Sequence, residues 1–410
     1  MSAETTAATT ADVGERGGPL SGRLVVDLSR ALAGPHAGMM LGDLGARVIK
    51  VETPGTGDDT RGWGPPFVGP EDDRQSTYFL SCNRNKESLA LDLKSDDGRA
   101  VLTDLLRRAD VVVENFRPGV LDRLGFSTDA MLGLNPGLII LSITGFGHDG
   151  PEATRSGYDQ IVQGEAGLMS VTGPDPDTPQ RVGVPIADLL AGMYGAYGAV
   201  AALLERERTG RGQVVRTSLL AAVIGVHAFQ GTRATVAGEV PQAQGNHHPS
   251  IAPYGLFNCR GGKVQISVGS EKLWATFAAA FGLNAGRGEF ATNADRVRNR
   301  AQLIGVVEDA FSVYEAEPLL AKLNETGIPA GKVRTLDEVY GWEQVRSQGL
   351  LLTVQHPVLG EISLPGPPLR FFAGPTETTP TGHTAPPLLD GDGEAIRAWL
   401  TGTASGGAGA

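Results

Sequence analysis

One carboxylate stands out because of the segment that it begins. Asp188 follows residues 182–187 (VGVPIA) and opens an Ala/Gly-rich stretch with helical character. An Asp in this place can act as an N-cap, because its side chain accepts backbone N–H groups of the first helical turn. The terminus of a helix would also keep a carboxylate ionised inside an apolar pocket, as a carboxylate nucleophile requires. Both interpretations, cap and nucleophile, are open at this point.

The sequence contains one formal match to a dinucleotide-binding fingerprint. Residues 145–150 (GFGHDG) spell G-x-G-x-x-G directly after an apolar run at 138–143. The fingerprint has to open a helix in the first βαβ unit, so that a pyrophosphate lies on the helix N-terminus. Here Pro151 follows at once, and the first βα turn carries only residues 33–35 (AGP). We therefore interpret the motif as a glycine-rich loop that lines a ligand cleft, and expect neither NAD nor FAD.

Other templates for catalysis are missing from the sequence, which has no Walker loop, no G-x-S-x-G elbow and no H-E-x-x-H. His247 and His248 are adjacent, so regular structure would point them apart. Cys82 and Cys259 fit neither a disulfide framework nor a Cys-based zinc site. The spacing gives no partner to the other histidines singled out here, which are His36, His148 and His227. We expect no metal and no permanently bound cofactor.

Strand and helix patterns alternate along the first half of the chain. The alternation favours a parallel sheet flanked by helices. We predict an α/β fold with a Rossmann-like large domain and a smaller α+β domain. The apolar runs predicted as strands are at 23–28, 46–51, 88–93, 110–114 and 138–143, and the helical patterns are at 34–45 and 95–108.

The pattern changes beyond residue 230. Residues 254–268 have the pattern of a hairpin around Gly261 and Gly262, and helical patterns fill 271–323. The predicted parts are a disordered tail (1–18), the large domain (19–230), a small α+β domain (231–335), a return segment that completes the large domain (336–400) and a flexible tail (401–410).

Composition narrows the class of protein. The 410 residues are 41% hydrophobic and 20% charged, as in a soluble protein of about two or three domains. The net charge is -11, from 35 Lys+Arg and 46 Asp+Glu, which excludes nucleic acid as an expected partner. Residues 1–18 have neither the basic start nor the apolar core of a signal peptide, so we expect a cytoplasmic protein.

One stretch, residues 186–204, is long enough to cross a membrane and has a single charge. It consists mostly of Ala and Gly, and four charged residues follow it at 205–208. We therefore predict a buried helix at the centre of a domain or of a dimer, and no membrane partner.

Ordered blocks of the sequence resemble a known family. The blocks include residues 28–35 (LSRALAGP), 42–52 (GDLGARVIKVE), 83–86 (NRNK), 114–119 (ENFRPG), 157–159 (GYD), 209–213 (TGRGQ) and 364–368 (LPGPP). In order and spacing they are similar to class III CoA-transferases, the family of formyl-CoA and carnitine CoA-transferases, over roughly residues 19–390. Residues 61–67 and 253–254 are most similar to the succinyl-CoA:glutarate CoA-transferase branch.

The resemblance implies a reaction and a catalytic residue. The family's catalytic Asp lies before a Gly-rich helix, which is the position of Asp188 here. Its carboxylate would attack an acyl-CoA thioester and carry CoA as a thioester before an acceptor carboxylate takes it. The expected partners are an acyl-CoA and a small carboxylic acid, for which we expect a dicarboxylate. The family also contains α-methylacyl-CoA racemases, which are the alternative and need two acid/base groups. Racemases have His at the position of Tyr158, and a Tyr does not readily act as a base at neutral pH, so we favour the transferase.

The resemblance also implies positions for the substrates. The positions that match CoA-contacting stretches are Leu91, Lys94, Asn115, Phe116 and Arg123. The remote carboxylate of an acceptor requires an Arg, for which the candidates are Arg30, Arg61 and Arg84. Further pocket candidates are Leu32, Tyr158, Asp159, Gly261 and Gly262, the glycines being similar to a mobile glycine loop. At the position of Thr53, formyl-CoA transferase has an Arg that contacts CoA, so the resemblance does not imply that contact here.

Two further expectations concern assembly and catalysis. The family fold implies a homodimer in which each chain passes through an opening in the other. A non-catalytic CoA-binding protein is a third class, disfavoured by the presence of Asp188.

Overall fold

A computed structural model describes residues 17–284 and 288–402. The predictions for residues 1–16 and 403–410 lie outside this part of the chain. Contacts divide the chain into two compact units. The first contains residues up to 166, 183–231 and those from 346 onward, and the second contains 167–182 and 232–345.

The first unit is built on a six-stranded parallel sheet with the order β3-β2-β1-β4-β5-β6. This is the strand order of doubly wound, nucleotide-binding folds. It confirms the predicted α/β fold with a parallel central sheet. The strands are β1 (Leu24–Asp27), β2 (Arg47–Glu52), β3 (Lys86–Ala90), β4 (Val111–Glu114), β5 (Ile139–Thr144) and β6 (Gln213–Ser218).

Helices cover both faces of this sheet, so its central strands are continuous apolar runs. One face carries Val26, Val112 and Ile140, which share a core with Leu105 and Met131 of two flanking helices. The helices of the first unit are α1 (Ala33–Asp43), α2 (Thr77–Ser81), α3 (Asp96–Arg108), α4 (Val120–Arg123), α5 (Thr128–Leu134), α6 (Asp159–Glu165), α7 (Ile186–Thr209) and α8 (Leu219–Gly225), with α9 (Ala228–Ala237) crossing into the second.

The opposite face carries α1 and α7. Within the described residues, α7 is the one helix long and apolar enough to cross a membrane. It packs instead on the sheet: a Cβ at Gly192 would lie 2.6 Å from the Ala33 carbonyl oxygen, and one at Gly195 would lie 3.2 Å from Leu141. Its small residues therefore let one face of α7 approach α1 and the strands closely, whereas Tyr197 and Leu204 of the same helix are exposed, so the predicted buried helix is buried only in part.

The second unit contains the predicted hairpin, formed by β7 (Tyr254–Cys259) and β8 (Gly262–Ser267), with β9 (Ala330–Gly331) antiparallel to β8. Its core is aromatic and includes Trp274, Phe277 and Phe311. Its remaining helices are α10 (Glu271–Ala280), α11 (Asn293–Arg298), α12 (Arg300–Phe311), α13 (Ala316–Glu325) and α14 (Leu336–Gly341), with α15 (Glu343–Ser347) reaching the first unit.

The chain then returns to the first unit. There β10 (Leu351–His356) and β11 (Gly360–Pro365) form an antiparallel pair. The last helix in the described residues, α16 (Gly393–Thr401), packs on β3 and α3. Thr401, predicted as the first residue of a flexible tail, is therefore helical.

Candidate active site

A cavity of about 550 Å³ opens at the carboxyl ends of β1, β4 and β5. The chain leaves β1 toward β2 on one side of the sheet and later occupies β4 on the other, so this is the topological switch point at which α/β sheets bind ligands. The loops after the three strands line the cavity together with residues 153–160 and Asp188.

Asp188 is the third residue of α7, whose N-cap is Pro185. The helix is capped from another element: Asp159 of α6 accepts the backbone N–H groups of Ala187 (2.8 Å) and Asp188 (3.4 Å) through Oδ1. Gln163 donates to the other Asp159 oxygen, Oδ2 (2.7 Å). The interpretation of Asp188 as the N-cap is therefore wrong, because Asp188 lies inside the first turn of α7 and Asp159 accepts the N–H groups at the start of the helix.

This arrangement also sets the charge of Asp188. Burial and then the nearby Asp159 carboxylate raise the pKa of Asp188 from 3.8 to about 7. The Asp188 carboxylate accepts no hydrogen bond from any residue that the structure describes. The expectation that the helix terminus keeps Asp188 ionised is thus corrected, because burial and the charge of Asp159 oppose its ionisation.

Tyr78 lines the same cavity and was missed from the sequence. Burial, with Asp188 as the next contribution, raises the pKa of Tyr78 to about 12, so its hydroxyl stays protonated at neutral pH. Its ring packs edge-on against Trp63, with the centroids 4.9 Å apart. No spacing links positions 78 and 188, since only the tertiary fold brings them together. Tyr158 also lines the cavity and is 66% exposed.

A second cavity, of about 920 Å³, lies beside the first. Four of the five predicted CoA-contacting residues line it, namely Leu91, Lys94, Phe116 and Arg123. Arg30 and Phe116 line both cavities, which therefore share a wall.

The fifth residue, Asn115, lines the first cavity and fixes this shared wall. Its side-chain oxygen accepts the N–H of Arg30 (2.8 Å), and its amide nitrogen donates to the Arg30 carbonyl (2.7 Å). The Arg30 guanidinium donates to Thr53 Oγ1 (2.9 Å) and lies 5.7 Å from the Phe116 ring centre. Leu32, two residues on, lines the cavity of Asp188.

Arg61 and Arg84 line neither cavity. The Arg61 guanidinium forms a two-pronged pair with Glu52 (2.7 Å to each oxygen). The Arg84 guanidinium is buried and binds Asp43 in the same way (2.8 and 2.5 Å). In both pairs, the guanidinium N–H groups that a substrate carboxylate would need are already bound to a carboxylate of the protein. These two residues therefore hold loops in place, and their assignment as acceptor-binding candidates is not supported.

Buried ion pairs fix the turn that follows β1. Lys86 Nζ lies 2.8 Å from Asp27, and Lys50 Nζ lies 2.8 Å from Asp58. Asp27 accepts the N–H of Ser29 (3.0 Å), and Lys50 donates to the Ser29 carbonyl (2.9 Å). Burial alone would raise the pKa of Asp27, but the two lysines hold it below its ordinary value. The turn that carries Arg30 and Leu32 is thus anchored by charge inside the fold.

Gly261 and Gly262 lie in the second unit, at the turn between β7 and β8. Gly261 has φ 71°, and Arg260 beside it pairs with Glu315 (2.7 Å). Among the described residues, no group of three or more His, Cys, Asp or Glu side chains could hold a metal ion.

Comparisons with known proteins agree with this geometry. The chain matches CoA-transferase family III over residues 20–392. Human succinyl-CoA:glutarate CoA-transferase is 39% identical over 356 residues, 86% of this chain and 80% of the relative. A succinate--glutarate CoA-transferase from Agrobacterium fabrum is 38% identical over 348 residues, 84% and 87% of the two chains.

A CAIB/BAIF family protein from Brucella suis has a similar solved structure, with a TM-score of 0.83, 39% identity and coverage of 94% of this chain and 100% of the other. With matches of this length and identity, the chain belongs to CoA-transferase family III and is a CoA-transferase that uses acyl-CoA substrates.

Proposed function

We propose that this protein moves CoA from an acyl-CoA to a free carboxylic acid through a thioester on Asp188. The observation that carries the proposal is the position of Asp188, a desolvated carboxylate without a donor among the described residues, in a cavity that shares a wall with a larger one. A nucleophile placed in this way meets the reacting end of a ligand whose remainder occupies the larger cavity.

The first half of the reaction loads CoA onto the protein. An Asp188 oxygen attacks the thioester carbonyl, the C–S bond breaks, and a mixed anhydride and CoA thiolate are formed. The thiolate then attacks the Asp188 carbonyl carbon and releases the donor acid as a carboxylate. The second half repeats these steps in reverse with the acceptor carboxylate, so that Asp188 is regenerated and no net proton is taken up.

Tyr78 fits a role in these steps. Each attack places negative charge on a carbonyl oxygen, and a fixed hydroxyl donor stabilises such charge. Because the raised pKa of Tyr78 keeps its hydroxyl protonated, the side chain can donate at neutral pH. Tyr78→Phe is expected to slow transfer while acyl-CoA still binds.

The CoA nucleotide occupies the larger cavity in this proposal. Lys94 and Arg123 supply positive charge for its phosphates, and Arg30 does so at the shared wall. Thr53, where formyl-CoA transferase has an Arg, accepts a hydrogen bond from Arg30, so the guanidinium of Arg30 provides charge at this place. We therefore assign Arg30 to CoA and not to the acceptor.

The names of the relatives support a substrate class. The human and Agrobacterium proteins are named for succinyl-CoA or succinate and for glutarate. We propose succinyl-CoA as a donor and a short dicarboxylate as the acceptor. The racemase alternative is not favoured, because Asp159 caps α7 and Tyr158 is largely exposed, so neither provides the second acid/base group.

We also propose that two copies of the chain form a homodimer, interlocked as the family resemblance implies. Exposed apolar side chains on two helices that contact each other, α7 and α8, support an interface, since exposed apolar surface marks association sites. Tyr197 and Leu204 of α7 are each 74% exposed, and Ile224 of α8 is 53% exposed. Light scattering after size exclusion should give twice the chain mass, and a monomer at micromolar concentration would exclude this assembly.

Mass spectrometry tests the mechanism. The protein is mixed with a panel of acyl-CoAs in deuterated solvent, and the peptide with Asp188 is examined together with the α-carbon of the acyl group. We expect a CoA-sized adduct on Asp188, absent from Asp188→Ala and retained in Asp104→Ala, which alters an exposed carboxylate of α3. Deuterium at the α-carbon without an adduct would establish the racemase instead.

A further inference from the structure

Three polar side chains form a row on the sheet face opposite α7. The parallel register pairs Glu114 of β4 with Ser142 of β5, and Ser142 with Arg216 of β6. Paired residues of parallel strands point to the same side of the sheet. The residues two positions earlier, Ile140 and Val214, contact the core of that face. The chain thus places an acid, a hydroxyl and a guanidinium side by side at the carboxyl ends of three strands.

A loop residue completes the group. His148, in the glycine-rich loop after β5, lies with Nε2 2.7 Å from Ser142 Oγ. Ser142 also hydrogen-bonds Glu114 Oε1, and the N–H of Phe116 donates to Glu114 Oε2 (3.0 Å). Glu114 is 8% exposed. Both of its oxygens are therefore engaged by hydrogen bonds within the protein. Burial raises the pKa of Glu114, and Arg216 acts against this through its charge, without a hydrogen bond to that carboxylate.

The group lines a cavity of about 240 Å³, distinct from the two already described. The side chains of Arg117 and Arg216 both face it, and neither guanidinium forms a hydrogen bond or ion pair with any residue in the described ranges. Other arginines of this unit, such as Arg23 and Arg206, pair with carboxylates. Two unpaired guanidiniums at one small cavity are a typical environment for an oxyanion.

We propose that this cavity binds a small oxyanion, a carboxylate or a phosphate, between Arg117 and Arg216, with His148 beside it. The cavity volume suits inorganic phosphate or a short dicarboxylate and is too small for CoA. Arg216 belongs to the rim of this cavity and not to that of the catalytic one. Asp122 lies exposed at the same rim and opposes the anion, so its removal should tighten binding.

The site is coupled to the catalytic cavity by a shared wall. Phe116, Arg117 and Pro118 line both, as does Thr144. An anion that holds the Arg117 guanidinium would restrain this turn, and with it one side of the cavity that contains Asp188. The oxyanion is therefore expected to act as an effector of transfer, at a place that the transfer chemistry does not use.

The proposal is tested by titrating the full chain with inorganic phosphate. Isothermal calorimetry measures the binding, and hydrogen exchange of the peptide with residues 114–120 reports whether the turn becomes restrained. We expect saturable binding at millimolar phosphate or below, weakened about tenfold or more in Arg216→Met. Arg216→Lys should retain most of the binding, Asp122→Asn should tighten it, and Arg107→Met, at an exposed arginine of α3, should not change it.

Glutarate provides the second arm and separates the two sources of oxyanion. The ligand that binds more tightly in an Arg216-dependent manner identifies the source, and Asp188→Ala prevents turnover in this measurement. Equal binding by Arg216→Met, or displacement of phosphate by saturating CoA, would place the anion in another site and overturn the proposal. Absence of binding at tens of millimolar would overturn it as well. None of these results depends on whether Asp188 forms a thioester.

Discussion

Asp159 Oδ1 accepts the backbone N–H of Asp188 at 3.4 Å while its charge raises the pKa of the Asp188 side chain. One carboxylate thus fixes the backbone of the other and opposes its ionisation. The hydrogen bonds from α7 compensate the charge of Asp159, whereas Asp188 has no such donors among the described residues. Asp188 is therefore a desolvated carboxylate that is ionised in only part of the population. Once ionised, it is more nucleophilic than a solvated carboxylate.

The first prediction concerns the pH dependence of loading. Only ionised Asp188 can attack a thioester, and its pKa is about 7. The rate of adduct formation at limiting acyl-CoA should therefore be constant at alkaline pH and fall about tenfold per pH unit well below 7. Rapid-quench mass spectrometry across this range measures it. A rate that stays flat down to pH 5 would contradict the raised pKa.

Asp159→Asn should move that profile to lower pH. The Asn oxygen can still accept the N–H of Ala187, but the negative charge that raises the pKa of Asp188 is lost. The pKa of Asp188 then falls toward 3.8, so the loading rate declines at a lower pH than in the wild type. Asp159→Ala is the control, because it removes both charge and cap and should also cost about 0.5–2 kcal/mol of stability. If the acid limb of the pH–rate profile did not move, burial alone would account for the raised pKa of Asp188.

Much of the fold was predictable from the sequence. Runs such as 110–114 and 138–143 are apolar at nearly every position, because strands of a parallel sheet are buried on both faces. The small residues of α7 predicted a closely packed helix, because Gly and Ala allow another element to approach the backbone, and Gly192 does lie against α1. Short helices such as α6, and the edge strand β6, have weaker patterns and were not predicted.

The site was predictable only in part. The family resemblance marked Asp188 and most of the residues that line the larger cavity. It could not separate Arg30 from Arg61 and Arg84, because the difference lies in their partners: the fold brings Glu52 to Arg61 and Asp43 to Arg84. The cap from Asp159 was missed for the same reason, since 29 residues separate it from Asp188.

Arg123→Met tests the assignment of the larger cavity. The Arg123 side chain lines that cavity and not the one with Asp188, so its loss should weaken CoA binding without changing the chemistry. We expect KM for the acyl-CoA to rise by about tenfold with kcat little changed. An acyl-pantetheine, which lacks the nucleotide, should be used equally by variant and wild type. A defect of equal size with both substrates would remove Arg123 from the nucleotide site.

Lys86→Met tests the anchoring of the turn after β1. Lys86 and Asp27 are both fully buried and 2.8 Å apart, so the variant leaves the Asp27 carboxylate buried with Lys50 as the nearby positive charge and Ser29 as a hydrogen-bond donor. We expect a loss of about 3–5 kcal/mol in the free energy of unfolding, measured in urea. Arg107→Met, which removes an exposed pair with Asp104, should change it by at most about 0.5 kcal/mol. Similar losses in the two variants would mean that the buried pair is not required for folding.

Gly192→Ala tests whether close contact between α1 and α7 positions the nucleophile. The added Cβ would lie 2.6 Å from the Ala33 carbonyl oxygen and 3.1 Å from His36 Cδ2, so the helices must separate. Overpacking should cost about 1–3 kcal/mol, which exceeds the gain of about 1 kcal/mol from the helix propensity of Ala. Because Asp188 lies one turn away on the same helix, the loading rate should also fall. Gly133→Ala in α5, with open space around the new Cβ, is the matched control and should stabilise the same unit or leave it unchanged. A Gly192→Ala protein as stable and active as this control would show that the contact can relax without moving Asp188.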